Sequence, residues 1–180
     1  MIESSIIYNG EIDNGDPYYE LMRTLIENKE KADVINLYLN STGGDFSLGM
    51  ALIDAMNLCK KNGVTIKTIA IGKVQSIAFL IFANGKKRYS FEHADFMLHS
   101  PSLQFSNDLL NTSQLIRVSK YMQINCEAVE KCLRETVNKT NWKAFQKEYI
   151  DVSGDHYMSA STLKFYGVVD KIIEKWDDIK

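Results

Sequence analysis

Hydrophobic and polar positions change period several times along the chain, and each change marks an element. IESSIIYNGEI reads as a short strand that runs into a turn. In DNGDP, Asp16 can cap a helix and Pro17 suits its first position. The following YYELMRTLIENKEKA places Leu21, Leu25 and Ile26 on one helical face. VINLYLN is rich in β-formers and ends at the sharp break STGG. DFSLGMALIDAMNLCKKNG reads as a helix with Leu48, Leu52, Ala55 and Met56 toward a core and Gly63 closing it. VTIKTIAIG is a strand, and after KVQ the apolar run SIAFLIFANG looks helical up to Gly85. KKRYSFEHADFMLHSP gives two short strands around the turn-like EHAD.

The longest helical segment is NDLLNTSQLIRVSKYMQINCEAVEKCLRETVNKT. Its stripe runs Leu115, Val118, Met122, Cys126, Val129, Leu133 and Val137, in steps of three and four that suit one long helix with a single apolar edge. Asn111 and Gln114 have the spacing of a capping box. NWKAFQKEYI reads as a short helix, SASTLKFYG as a helix stopped at Gly167, and VVDKII as a final strand. Strands alternating with helices predict an α/β fold. There is no internal repeat, linker or low-complexity tract, and 180 residues fit one domain spanning 1–180.

Composition narrows the function classes. Hydrophobic residues make up 45% and charged residues 24%, as in an ordinary globular chain. The formal net charge of −2 gives no electrostatic reason for a nucleic-acid partner, and Lys86, Lys87 and Arg88 read as a solvated loop. No signal peptide is expected, because Met1 leads into a polar, acidic segment. No membrane span is expected either: the most apolar stretch is broken by Lys67, Lys73 and Gln75. Cys59, Cys126 and Cys132 have no metal spacing and read as buried thiols of a reducing, cytoplasmic compartment. No metal or cofactor is implied, and no phosphate-binding GxxxxGK(S/T) loop is present.

Three residues carry chemistry if they meet. Ser76 follows a strand and opens a helical run, a turn that exposes a hydroxyl and aims backbone N–H groups at the atom under attack. Most serines at such turns are simply helix caps. His99, in FMLHSP, ends a strand, where a neutral imidazole can serve as a general base; a plain semi-buried histidine is the alternative, as for His93 and His156. Asp155, in SGDHYMSAS, could be the buried carboxylate that orients such a histidine, or merely a turn aspartate. Gly43 and Gly44 close a strand in a way that suits an oxyanion hole, although a bare Gly-Gly is usually only a turn. Spacing alone does not join these residues.

The order of segments resembles one family. INLYLNSTGGDFSLGMALIDAM is similar to the strand, NSPGG and helix of the Clp protease proteolytic subunit. GKVQSIAF stands in place of its G-x-A-S-M-G motif, MLHSP in place of M-x-H-Q-P, and DHYMSASTLKFYGVVDKI resembles its D-x-x-x-S-A-x-x-A-x-x-Y-G-L-(V/I)-D ending. The resemblance implies a serine endopeptidase with Ser76 as nucleophile, His99 as general base and Asp155 as its orienting partner. The N–H groups of Gly44 and Ile77 would form the oxyanion hole. It further implies the ClpP/crotonase fold, a spiral of ββα units with a protruding helical handle at about 109–140. The implied assembly is a homo-oligomeric ring, a heptamer or double ring, that takes polypeptide substrates as extended strands.

Departures from the family are part of the reading. Thr42 replaces the proline of NSPGG, Ala78 a glycine after the nucleophile, and Ser100 a glutamine after the histidine. Gly154 stands where relatives carry an arginine that pairs two rings, and the handle's glycine-rich strand is missing from SPSLQFSNDLL. Little precedes the first strand, where relatives have an axial loop and a helix. For a Clp-type ATP-driven unfoldase, Tyr38 matches one aromatic of the docking pocket, whereas Asn36 and Leu58 replace others, which counts against docking. Two alternatives follow: a catalytically inactive ring-forming scaffold of the same fold, and a crotonase-type acyl-CoA enzyme.

Overall fold

The computed structural model describes residues 2–102 and 109–179. The stretch 103–108, where the resemblance places the missing glycine-rich strand, lies outside the described residues. Chain order is β1 (Glu3–Asn9), α1 (Asp16–Asn28), β2 (Val34–Ser41), α2 (Phe46–Lys61), β3 (Thr65–Gln75), α3 (Ile77–Ala83), β4 (Lys87–Phe91), β5 (Asp95–Leu98), α4 (Thr112–Thr136), α5 (Trp142–Tyr149), β6 (His156–Met158), α6 (Ala160–Tyr166), β7 (Lys171–Ile173) and a 3₁₀ turn (Trp176–Ile179).

Strands β1, β2, β3, β4 and β7 lie side by side in that order, all parallel. The sequence strand VTIKTIAIG is longer than expected: β3 runs on through KVQ and serves two neighbourhoods. Its first half pairs with β2 and β4, and its last three residues pair in parallel with β5. The switch is made where the β2–β3 register shifts between Leu39 and Ser41. There the Asn40 side chain accepts from the Lys73 N–H at 2.7 Å, replacing a lost ladder bond. Strand β6 then pairs antiparallel with β5.

The core forms because one face of this sheet is covered by helices. Leu21 and Leu25 of α1, and Leu52, Ile53, Met56 and Cys59 of α2, are buried against Ile35, Leu37 and Leu39 of β2. Helix α3 is buried on every side, as its unbroken apolar sequence requires. Phe79 and Phe82 pack on Phe96 of β5 with ring centroids 6.1 and 5.3 Å apart. Each such burial contributes roughly 1.5–3 kcal/mol, so β5 is held firmly beneath α3.

Several local expectations are corrected. Gly15, not Asp16, is the N-cap of α1, with Asp16 and Pro17 inside its first turn. Ile26 is 51% exposed, because a turn of 3.6 residues carries it past the edge of the Leu21–Leu25 stripe. Leu48 and Ala55 are only half-buried. On α4 the inward residues are Asn125, Val129 and Leu133, and Cys126 is exposed. A straight helix drifts against a seven-residue repeat, and here the drift exchanges a cysteine for an asparagine. The buried-thiol reading therefore holds for Cys59, while Cys132 is half-buried. The capping box at the start of α4 is present, with Asn111 N–H donating to Gln114 at 2.8 Å and Gln114 N–H to Asn111 at 3.0 Å. None of residues 112–124 is buried, so the first half of this helix stands free of the core. Among the described residues no helix is long and apolar enough to cross a membrane.

Candidate active site

Strand register brings the three chemical residues together. In the β3–β5 ladder Gln75 faces Met97, and the next amide, Ser76 N–H, donates to the Met97 carbonyl at 2.9 Å. His99 follows two residues after Met97. In the β5–β6 ladder Met97 faces Tyr157 and Leu98 faces His156, so the same register carried one step further sets His99 against Asp155. The three residues thus leave the ends of three adjacent strands.

Ser76 sits between β3 and α3 with φ 54° and ψ −127°, and among the described residues it is the one non-glycine with positive φ. Such a conformation costs on the order of 1–3 kcal/mol and persists only where its surroundings enforce it. Here the strand ladder fixes one side of the turn and the buried helix α3 the other. The hydroxyl does not cap α3. Its Oγ lies 2.7 Å from His99 Nε2. With the ring proton on Nδ1, Nε2 accepts from the hydroxyl, and Nδ1 is left facing Asp155.

Asp155 is less tightly placed. Its Oδ1 is 3.5 Å from His99 Nδ1, and its side chain is 54% exposed against 28% for the histidine. The expectation of a buried carboxylate is therefore corrected. Asp155 follows the exposed Gly154 at the end of a loop, and among the described residues it is left open to solvent. The loop itself is anchored: His156 Nε2 lies 3.0 Å from the Val152 carbonyl, and its ring meets Tyr149 edge-on. Tyr149 belongs to an aromatic cluster with Phe145 and Tyr166. His93, by contrast, is exposed in the β4–β5 turn.

The two glycines after β2 complete the turn opposite Ser76. Gly43 has φ 92°, and a Cβ there would stand 2.7 Å from Ser76 Cβ and 2.8 Å from the Gln75 carbonyl oxygen. Gly44 has φ 145° and packs on Ile12. The loop is clamped by Ile12 N–H to the Gly43 carbonyl and Asp45 N–H to the Ile12 carbonyl, both 2.7 Å. Tyr8, whose hydroxyl burial pushes up to about 12, donates to the Glu11 carbonyl at 2.7 Å and steadies the same segment. Neither Gly44 N–H nor Ile77 N–H is used in this loop network among the described residues. Both residues border a cleft of about 510 Å³ that also exposes Ser76 and His99. Gly49 of α2 lies against the Ile77 side chain, where a Cβ would clash with Cγ1, so the two helices meet closely behind the cleft.

Comparison with known proteins agrees with this architecture. The family model described as Clp protease matches residues 1–176. The chain belongs to the Clp protease family. A solved ClpP1 point mutant from Listeria monocytogenes superposes with a TM-score of 0.79 over 98% of this chain and 94% of that one, at 22% sequence identity. The fold is accordingly the ClpP fold, as its parallel-rich sheet and helices indicate. The assignment places the chain with peptidases rather than with the acyl-CoA enzymes considered above.

Sequence reasoning missed part of the cleft. Glu11, Asp45, Phe46, Tyr121 and Asn125 also line it. Asn125 was hidden beside Cys126 by the assumed stripe, and Tyr121 lies outside that stripe. Gly43, rather than Gly44, is the glycine against which the Ser76 turn packs. The doublet was visible in the sequence, but the role of each member was not.

Proposed function

We propose that the chain is a serine endopeptidase in which Ser76, His99 and Asp155 act as a catalytic triad. The observation that carries the reading is the serine hydroxyl: it sits in a strained turn, leaves its helix uncapped and lies 2.7 Å from an imidazole nitrogen. In the reaction, Ser76 Oγ attacks the carbonyl carbon of an extended peptide while its proton passes to His99 Nε2. The carbonyl oxygen becomes an oxyanion that accepts from Gly44 N–H and Ile77 N–H. The C–N bond then breaks as His99 returns the proton to the amine. Water repeats the attack on the acyl-enzyme, giving up its proton to His99, and the proton returns to Ser76 as the ester breaks. Asp155 holds the ring tautomer and stabilises the imidazolium between steps.

We also infer a homo-oligomeric ring, while docking of an unfoldase is disfavoured by Asn36 and Leu58. Supporting the ring, Leu115, Ile116 and Ile124 of the free half of α4 are 52%, 52% and 62% exposed. In favour of docking stands only an apolar groove lined by Ile7, Tyr38, Ile71 and Phe91 on the sheet surface away from the helices. Asn36, on the same face, is buried, and its Oδ1 has no partner among the described residues. The inactive-scaffold reading has one observation in its favour, the exposed and distant Asp155. Loose hydrogen bonds in a resting site are compatible with catalysis, since such bonds often tighten only with substrate.

The test is a fluorophosphonate probe with the adduct mapped by mass spectrometry, and sedimentation of the same preparation to give the assembly's mass. Labelling at Ser76, lost in Ser76→Ala together with peptide cleavage, is the expected result. A folded ring that labels nowhere supports the scaffold instead, and a monomer removes the ring.

A further inference from the structure

Asn125 has no role in the chemistry above, yet it is the most unusual residue of the cleft. It is only 8% exposed and borders the same space as Ser76 and His99. Its amide has no hydrogen-bond partner among the described residues. The residue is buried but its amide is not sealed off: it opens into the cleft, where it can accept from or donate to whatever side chain enters. Val129, one turn further along α4, shares a small recess with Ser76, His99 and Leu98. Asn125 is therefore placed at the level of a substrate side chain next to the scissile carbonyl.

The surroundings say which side chain. Met97, Phe46, Pro101 and Tyr121 give the cleft apolar walls, suited to an aliphatic stem. Its charged lining residues are Glu11 and Asp45, and no lysine or arginine borders it among the described residues. One Asp45 oxygen accepts from Leu48 N–H at 2.9 Å as the cap of α2. Glu11 has no side-chain partner among the described residues, which leaves its carboxylate open to a cation.

We propose that Asn125 is a specificity-determining residue that selects lysine or arginine side chains next to the scissile bond, with Glu11 and Asp45 favouring their charge. The inference rests on the peptidase reading. The Asn125 Oδ1 accepts from the ammonium or guanidinium N–H, a bond that an aliphatic side chain of equal length cannot replace. A site built to pair a polar group penalises an analogue that lacks it more than it penalises a missing methylene.

The test uses peptidyl diphenyl phosphonates that differ in one side chain: lysine, norleucine or glutamate. The readout is the rate of adduct formation at Ser76 in the whole protein. The lysine probe is expected to react about tenfold faster than norleucine, with glutamate slowest. Asn125→Leu should still form the adduct but reverse the order of lysine and norleucine. Asn125→Asp should widen the lysine preference, and it keeps the test decisive if the leucine variant folds poorly. A norleucine rate equal to or above that of lysine in the parent, or a ratio unchanged in both variants, overturns the inference while leaving the peptidase reading intact. Absence of any Ser76 adduct with all three probes overturns both.

Discussion

At the scale of single residues, the site depends on a contact that forbids a methyl group. Gly43 lies so close to Ser76 that an alanine there must displace the Ser76 turn or the Gln75 carbonyl. Gly63 makes a useful contrast, because it also has positive φ, 88°, but nothing lies within 4 Å of its missing Cβ. Both Gly43→Ala and Gly63→Ala strain the backbone and are expected to lose about 1–3 kcal/mol in a urea melt. Only Gly43→Ala is expected to slow fluorophosphonate labelling of Ser76, by tenfold or more on the order of an oxyanion-hole or orientation defect. Equal labelling rates for the two variants would falsify the claim that Gly43 positions the nucleophile. Sequence showed the Gly-Gly doublet and the Ser76 turn, but not that they touch. That contact joins residues 33 positions apart, and it exists only because β2 and β3 are neighbours in the sheet.

At the scale of elements, α4 has two halves with different sources of stability. From Asn125 onward it is held by burial of Val129 and Leu133. Before that point no residue is buried, so the first turns rest on the capping box and on propensity. Asn111→Ala removes one donor–acceptor pair of the box and is expected to destabilise that end by about 1 kcal/mol. Amide exchange across residues 112–118 should then quicken about fivefold while the global melting temperature barely moves. A large fall in melting temperature would mean instead that the free half is packed in solution, as a ring partner would pack it. Both the helix and its cap were legible from spacing of three and four, because these are local properties. The phase of its buried edge was not, because a one-residue drift between Cys126 and Asn125 is decided by what the helix leans on.

At the scale of the whole molecule, the chain's end is tied to its beginning. Lys67 of β3, buried on the sheet face away from the helices, donates to the Ile179 carbonyl at 2.9 Å and lies 3.5 Å from Glu3. The closing 3₁₀ turn that presents Ile179 is organised by Asp178. The Lys171 ammonium, together with the N–H groups of Glu174 and Lys175, lowers the Asp178 carboxyl from its ordinary 3.8 to about 2. A lowered carboxyl contributes stability that is complete above its unfolded value and is lost as pH falls through its folded one. Parent protein is therefore expected to melt above Asp178→Asn near neutral pH, with the gap closing as pH falls from about 4 to about 2. A gap that persists at the acid end of a thermal-melt series refutes this account. Sequence by itself determined the α/β class and most element positions, and it singled out Ser76, His99 and Asp155 as candidates, because periodicity, turn chemistry and motif order are written along the chain. Only the tertiary structure decided that β3 reaches past its own sheet to pair with β5, and that β5 pairs with β6. Those two registers put the serine, the histidine and the aspartate at adjacent strand ends. Registers between segments 22 residues apart for β3 and β5, and 58 to 62 apart for β5 and β6, are set by packing and ladder bonds that no local pattern encodes.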